Sequence, residues 1–171
     1  WAENPQLLEK AKNDVASANM LIVNLLFLEE HINAILPSLM DRKSSCDALV
    51  GCVASREVVQ LTKIGNLDMA KPSTGVMGLL KKLRGKNNNK ASGGEKQMAL
   101  LRRLPKILKF LPGKAQDLRA YFLTMQYWLG GSDENMESMV RFLINKYGKI
   151  ESKSLVEASE PVQYADTGLY H

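Results

Sequence analysis

The strongest constraint on the fold is a spacing. An apolar run rich in branched residues, Met20 to Leu28, is followed by a helix-like stretch from Glu29 to Lys43 and a second apolar run from Ala48 to Val53. Strand, helix and strand at this separation form a βαβ unit. Such a unit is parallel and right-handed, because a right-twisted strand feeding a helix packs back onto its sheet only that way. The first run is apolar on both faces, as a strand covered by helices on both sides would be. In the intervening helix Ile32, Ile35, Leu36, Leu39 and Met40 share one face. Glu29 and Glu30 suit the positive end of its dipole, and Arg42 and Lys43 the negative end. Pro37 inside it predicts a kink. Upstream, Asn4 before Pro5 starts a helix over 5–18 with Leu7, Leu8, Ala11, Val15 and Ala18 as one buried stripe. Ser55 caps a further helix expected to end at Gly65.

The second half changes character. Val76, Leu80 and Leu83 predict a short amphipathic helix carrying Lys81, Lys82 and Arg84 on its other side. The stretch 85–94, GKNNNKASGG, has no apolar anchor beyond Ala91 and reads as a mobile loop. Gln97 to Leu111 places Met98, Leu101, Leu104, Leu108 and Leu111 on one face, with Arg102, Arg103, Lys106 and Lys109 largely outside it and a bend at Pro105. Ala115 to Leu129 repeats the stripe with Leu118, Tyr121, Phe122, Met125, Trp128 and Leu129, read as helix core and ended by Gly130 and Gly131. Ser132 opens a last helix whose Met136, Met139, Val140, Leu143, Ile144 and Tyr147 line one face before Gly148 stops it. The fold class is therefore α/β: a short parallel sheet with a βαβ unit, then a mainly helical second half. Three parts follow: a sheet part over 1–70, a basic helical part over 71–148 with the loop 85–94, and a linker over 149–171 with a short strand at Val162 to Tyr164.

A content of 45% hydrophobic and 24% charged residues is that of a globular protein. The longest apolar run is less than half of the roughly 20 residues a membrane helix needs, so no membrane span is expected. Two cysteines exclude a disulfide-built scaffold, and one histidine besides His171 leaves no cluster for structural zinc. Charge is uneven. Lys63 to Lys114 holds thirteen Lys/Arg against Asp68 and Glu95, a net of +11, while the remainder carries −6 within a total of +5. Such asymmetry marks a surface for a polyanion or an acidic protein. Phe110 is the one aromatic residue there, so the stacking rings of a single-strand binder are missing and no nucleic acid is expected. Lys81, Lys82, Arg84, Arg102, Arg103, Lys106 and Lys109 form the candidate partner surface.

Ligands of open α/β sheets sit beyond the carboxyl ends of the strands, which singles out Glu29, Glu30 and His31 after the first strand and Ser55, Arg56 and Glu57 after the second. They offer acids, a base and a hydroxyl. Ordinary duties at helix starts explain the same residues, so no catalytic residue is assigned. Cys46 and Cys52 lack a histidine or carboxylate constellation and read as core. No G-x-x-x-x-G-K-[ST] phosphate loop occurs. The piece itself thus carries no cofactor and no metal site.

KAQDLRAYFLTMQYWLGGSDENMESMVRFL, Lys114 to Leu143, resembles the N-terminal region of the large, porphyrin-binding H subunit of magnesium chelatases. Further matches keep the family's order: Leu26 to Glu30, SREVVQLTKIGNLDM from Ser55 to Met69, RRLPKILKFLP from Arg102 to Pro112, and PVQYADTGLYH from Pro161 to His171. CVAS at Cys52 to Ser55 departs from the plant and cyanobacterial pattern, and GVMGLLKKLRG, Gly75 to Gly85, resembles the bacteriochlorophyll-pathway form. The resemblance implies a cytoplasmic subunit, in a photosynthetic bacterium, of the ATP-driven insertion of Mg²⁺ into protoporphyrin IX. Protoporphyrin IX, Mg²⁺ and ATP belong to the whole complex. The implied partners are the remainder of the large subunit and AAA+-type motor subunits that hydrolyse the ATP. A chain opening at Trp1 and closing at His171 reads as a piece of that large subunit, lacking the first strand of its domain and all metal-insertion residues. The cobaltochelatase large subunit is the nearest alternative, and a non-enzymatic basic docking module is the alternative from another class.

Overall fold

The computed structural model describes residues 4–71, 102–149 and 157–163. The expected helix 76–84, the loop 85–94 and Lys81, Lys82 and Arg84 lie outside the described residues. α1 (Pro5–Ser17), β1 (Met20–Val23), α2 (Glu29–Arg42) and β2 (Ala48–Gly51) supply the βαβ unit, with Met20 opposite Ala48 and Val23 opposite Gly51 in a parallel pair. Asn4 caps α1 through its side-chain oxygen, which accepts from the Gln6 and Leu7 amides at 3.1 and 3.3 Å. Its stripe is half-buried against α2 and not buried as expected, and Leu7 is exposed. α2 continues through Pro37 and buries Ile32, Ile35 and Leu39, leaving Met40 in solvent.

Both parallel strands stop earlier than their apolar runs do. Leu25 and Val53 adopt φ values of 54° and 48°, in the left-handed region that turns a chain out of an extended path. Leu25, Phe27 and Leu28 consequently stand exposed beyond β1 instead of continuing it. The helix after Ser55 is short as well. α3 (Arg56–Gln60) gives way to a hairpin of β3 (Lys63–Ile64) and β4 (Leu67–Asp68), which adds to β2 antiparallel. The sheet is therefore mixed, in the order β1-β2-β3-β4, and parallel only between β1 and β2. The signal for the hairpin is the two-residue Gly65–Asn66 turn, where Gly65 has φ 53°.

Beyond the sheet, helical residues 102–108 are followed by α4 (Lys114–Gly130) and α5 (Asp133–Tyr147). Ala48, Val50, Ile64 and Leu67 from the sheet share one core with Leu104, Leu108, Leu118, Phe122, Met139 and Leu143. α4 packs on both β4 and α5, so it buries Ala120, Leu123, Thr124 and Tyr127 in addition to the expected Leu118, Tyr121 and Phe122. Trp128 and Met125 lie partly buried at the margin of this core, and Leu129, expected within it, is exposed. Val140 of α5 is likewise exposed. Gly131 closes α4 at φ 66°, and Ser132 caps α5 by accepting from the Asn135 amide at 3.2 Å. Gly148 ends α5 by another route: its φ is ordinary, but a Cβ there would lie 2.8 Å from the Ile144 oxygen.

Asp117 ties the two halves together. Buried in the first turn of α4, its carboxylate accepts from the Asn66 amide in the hairpin turn and from the Tyr147 hydroxyl of α5, each at 2.8 Å. A Cβ on Gly65 would meet the same carboxylate at 2.6 Å, a second reason for glycine at that turn. Burial, then the hydrogen bond to Asp117 and its charge, push the Tyr147 phenol well above its ordinary pKa. Residues 157–163 form no strand, so Val162 and Gln163 do not begin the strand expected over Val162 to Tyr164, and Tyr164 lies outside the described residues. Val162 instead has its amide and carbonyl both paired with the side-chain amide of the buried Asn135, at 2.9 and 3.0 Å, and Tyr127 donates to the Ser159 carbonyl at 2.5 Å.

Candidate functional site

The carboxyl ends of β1 and β2 are closed by backbone. Cys52 N–H donates to Val23 O at 3.0 Å, Leu25 N–H to Val53 O at 2.9 Å and Ser55 N–H to Leu26 O at 2.9 Å, so the two post-strand loops are zipped together past the strands. Below them Thr62 holds Gly51, its hydroxyl accepting from the Gly51 amide at 3.0 Å and donating to the Gly51 carbonyl at 3.2 Å. The Tyr121 hydroxyl donates to that carbonyl at 3.3 Å, and burial pushes its pKa up to about 12. A Cβ on Gly51 would come within 2.4 Å of Val58 O, so any larger residue at this strand end would force β2 and α3 apart.

The six strand-end candidates occupy helix starts. Glu29 and Glu30 are exposed in the first turn of α2, with His31 3.7 Å from the Glu30 carboxylate. They line a shallow surface depression with Leu28 and Asn33, and none of Ser55, Arg56 or Glu57 reaches it. Ser55 accepts from the Val58 amide at 3.5 Å as the cap of α3. The Glu57 carboxyl is held below the usual range by its own amide and by the Ser55 hydroxyl, while Arg56 beside it is exposed. The two groups of residues therefore hang on adjacent loops without converging on one pocket. Cys46 and Cys52 are free and buried, and burial pushes the Cys52 thiol up to about 11, far from a reactive thiolate at neutral pH.

A second concavity, of about 590 Å³, lies on the helical side. Residues 102–110 form one wall and Glu160, Pro161 and Gln163 the other, over a floor that includes Leu123 of α4. Arg102, Lys106 and Lys109 line it as the basic stretch suggests, whereas Arg103 is exposed outside it. Arg119 also lines it and was not singled out by sequence, being placed on a helix read only for its apolar stripe. Its Nε donates to the Pro105 carbonyl at 3.0 Å, fixing the first wall to α4. Phe110, 84% exposed, stands at the rim.

The fold and these two places define an α/β domain in which, among the described residues, no group of three or more His, Cys, Asp or Glu could hold a metal ion, and no helix is long and apolar enough to cross a membrane. Comparison with known proteins supplies the family. Residues 1–122 match the family described as "Domain of unknown function (DUF3479)", and the chain belongs to it. Over its whole length it is 53% identical to the magnesium-chelatase H subunit of Cereibacter sphaeroides and 54% identical to that of Rhodobacter capsulatus, covering 14% of each. Over 92% of its length it is 32% identical to the chloroplastic magnesium-chelatase ChlH subunit of Oryza sativa, covering 11% of that protein. The resemblance read from Lys114 to Leu143 and its companion motifs is thus borne out, on a chain that spans about one seventh of the length of its bacterial relatives.

Proposed function

We propose that this chain is the N-terminal part of the large subunit of a magnesium chelatase, in the bacteriochlorophyll pathway of a photosynthetic bacterium. The observation that carries the reading is identity above one half, across the entire chain, to two bacterial proteins named as magnesium-chelatase H subunits. The whole complex then inserts Mg²⁺ into protoporphyrin IX in the cytoplasm, with ATP hydrolysed on AAA+-type motor subunits. Within it this part is a non-catalytic module. Glu29 and Glu30 begin a helix and Ser55 caps one, and these structural duties account for three of the six strand-end residues. Contact with partners falls to the basic surface of Lys81, Lys82, Arg84, Arg102, Arg103, Lys106 and Lys109.

The test is an exchange. The matching region of the full-length Cereibacter sphaeroides protein is replaced by this chain, and Mg-protoporphyrin formation is measured with the motor subunits and ATP. The expected result is turnover close to that of the parent and none from the 171-residue chain alone. A folded, motor-bound exchange subunit that forms no product, or that inserts Co²⁺ in preference, overturns the assignment.

A further inference from the structure

We infer that the groove between residues 102–110 and 160–163 is a docking site for an acidic segment, bearing an apolar anchor, from the part of the same polypeptide beyond these 171 residues. The inference rests on the proposal that the chain belongs to a much longer subunit. Three observations carry it: charge, preorganisation, and the composition of the rest of this chain.

Lys106, Lys109 and Arg119 line the groove together with Arg102, and among its described lining residues Glu160 is the one carboxylate. Like charges gathered along a concave surface raise one another's electrostatic energy, and an acidic occupant relieves that repulsion and is selected by it. Phe110 at the rim is 84% exposed beside Ile107 at 44%. An aromatic ring presented at the mouth of a charged groove is the type of group that a partner's apolar side chain covers.

Both walls are held before any partner arrives. Gln116 of α4 donates to the Leu108 carbonyl at 2.9 Å and Arg119 to that of Pro105, which fixes the 102–110 wall. Asn135 grips Val162, Tyr127 grips Ser159, and Arg141 donates to the Glu157 carbonyl at 3.2 Å, which fixes the opposite wall. A site whose backbone is already pinned loses little freedom on binding, so its contacts are expressed as affinity.

The chain's own remaining stretches do not match this lining. Residues 72–101 carry six Lys/Arg against Glu95 and share the sign of the groove. Residues 1–3, 150–156 and 164–171 contain one carboxylate each, Glu3, Glu151 and Asp166. A covalently attached segment from the rest of a subunit acts at high effective concentration and needs little intrinsic affinity to occupy the groove.

Carbodiimide cross-linking of the full-length exchange subunit tests the inference, using an equal mixture of ¹⁴N- and ¹⁵N-labelled copies and peptide mass spectrometry. Lys106 and Lys109 are expected to join Asp or Glu side chains beyond residue 171 of the same copy, in the absence of motor subunits. A second readout uses Phe110→Cys in that subunit. With each rate normalised to the thiolate fraction from its own pH profile, its thiol is expected to be alkylated at least about tenfold faster when Lys106→Glu and Lys109→Glu are added, while Lys114→Glu, at an exposed position outside the groove lining, leaves the normalised rate unchanged, and thermal melts control for folding. Links only to Glu160 or Asp166, links between copies, links that need a motor subunit, no links, or a Phe110→Cys thiol equally reactive in both backgrounds overturn the inference. Neither readout depends on turnover, so a failed groove and a failed chelatase assignment give different results.

Discussion

The ends of the parallel strands and the helical groove are both places where an α/β domain can hold a ligand, and the chain treats them in opposite ways. At the strand ends it consumes its own hydrogen-bonding groups: three backbone bonds zip the loops after β1 and β2, and Thr62 and Tyr121 occupy Gly51. Along the groove its hydrogen bonds hold the walls, and the cationic residues Arg102, Lys106, Lys109 and Arg119 line the space between them. Topology alone points to the first place. Where the backbone closes that edge, the open chemistry lies off the sheet.

The two regions meet at Asp117, so breaking that residue has the largest expected effect. Asp117→Ala leaves the Asn66 amide and the Tyr147 hydroxyl without their charged acceptor, which costs about 2–4 kcal/mol for two part-buried hydrogen bonds and lowers the melting temperature by roughly 4–16 °C. Hydrogen exchange should show hairpin and α5 amides losing protection together. Loss confined to α5 would mean that sheet and helices do not form one cooperative unit.

Next in size is Asn135→Ala, which removes both bonds to Val162 and releases one wall of the groove at a cost of about 1–3 kcal/mol. The Val162 amide should exchange freely in this variant while the Leu25 and Cys52 amides stay protected. Equal loss at both places would erase the distinction drawn between them.

A smaller effect belongs to the sheet and is read by pH. Burial of Asp68 opposes its ionisation but is outweighed by the Lys43 ammonium at 2.7 Å and the Ala70 amide, so its folded pKa is depressed. The sign follows: this stabilisation is fully present above the unfolded carboxyl value of about 3.9 and is lost as pH falls through the lower folded value. Asp68→Asn should cost about 1 kcal/mol at neutral pH, kept modest by solvent screening, and should flatten the acid limb of the stability curve. An unchanged acid limb assigns acid sensitivity to other carboxylates.

The smallest effect is a gain. Leu25→Gly or Val53→Gly relieves a left-handed side-chain conformation that costs about 1–3 kcal/mol, offset by the roughly 0.5–1 kcal/mol entropy penalty of glycine. Thermal melts should show either variant to be as stable as the parent or slightly more so. Destabilisation by more than about 1 kcal/mol would show that the Leu25 and Val53 side chains hold the closed edge together.

Much of this was legible from local chemistry. Asn4, Ser55 and Ser132 cap helices because a side-chain oxygen supplies the bond that a first turn lacks. The βαβ unit followed from the spacing of two apolar runs, and Gly131 from the break after Leu129. The runs overreached because periodicity registers apolar character and not backbone angle, so Leu25 and Val53 gave no warning of their turns. The β3–β4 hairpin was missed although Gly65–Asn66 announces it, since its strands of two residues each are too short to show alternation. On the candidate site, Arg102, Lys106 and Lys109 were readable as a basic face, whereas Arg119 and Glu160 come from segments distant in sequence.

Helix starts, the glycine stops after α4 and α5, the parallel pair, the basic stretch and the family are all written in the order of residues, because each depends on neighbours within a turn or on a contiguous motif. Packing decided the rest. It made α4 the shared wall between sheet and α5, buried Asp117 as the tie between them, and turned the apparent strand at Val162 into a backbone segment held by Asn135. Those outcomes depend on which groups meet across long stretches of chain, and a buried polar group takes whichever partner the packing brings within reach.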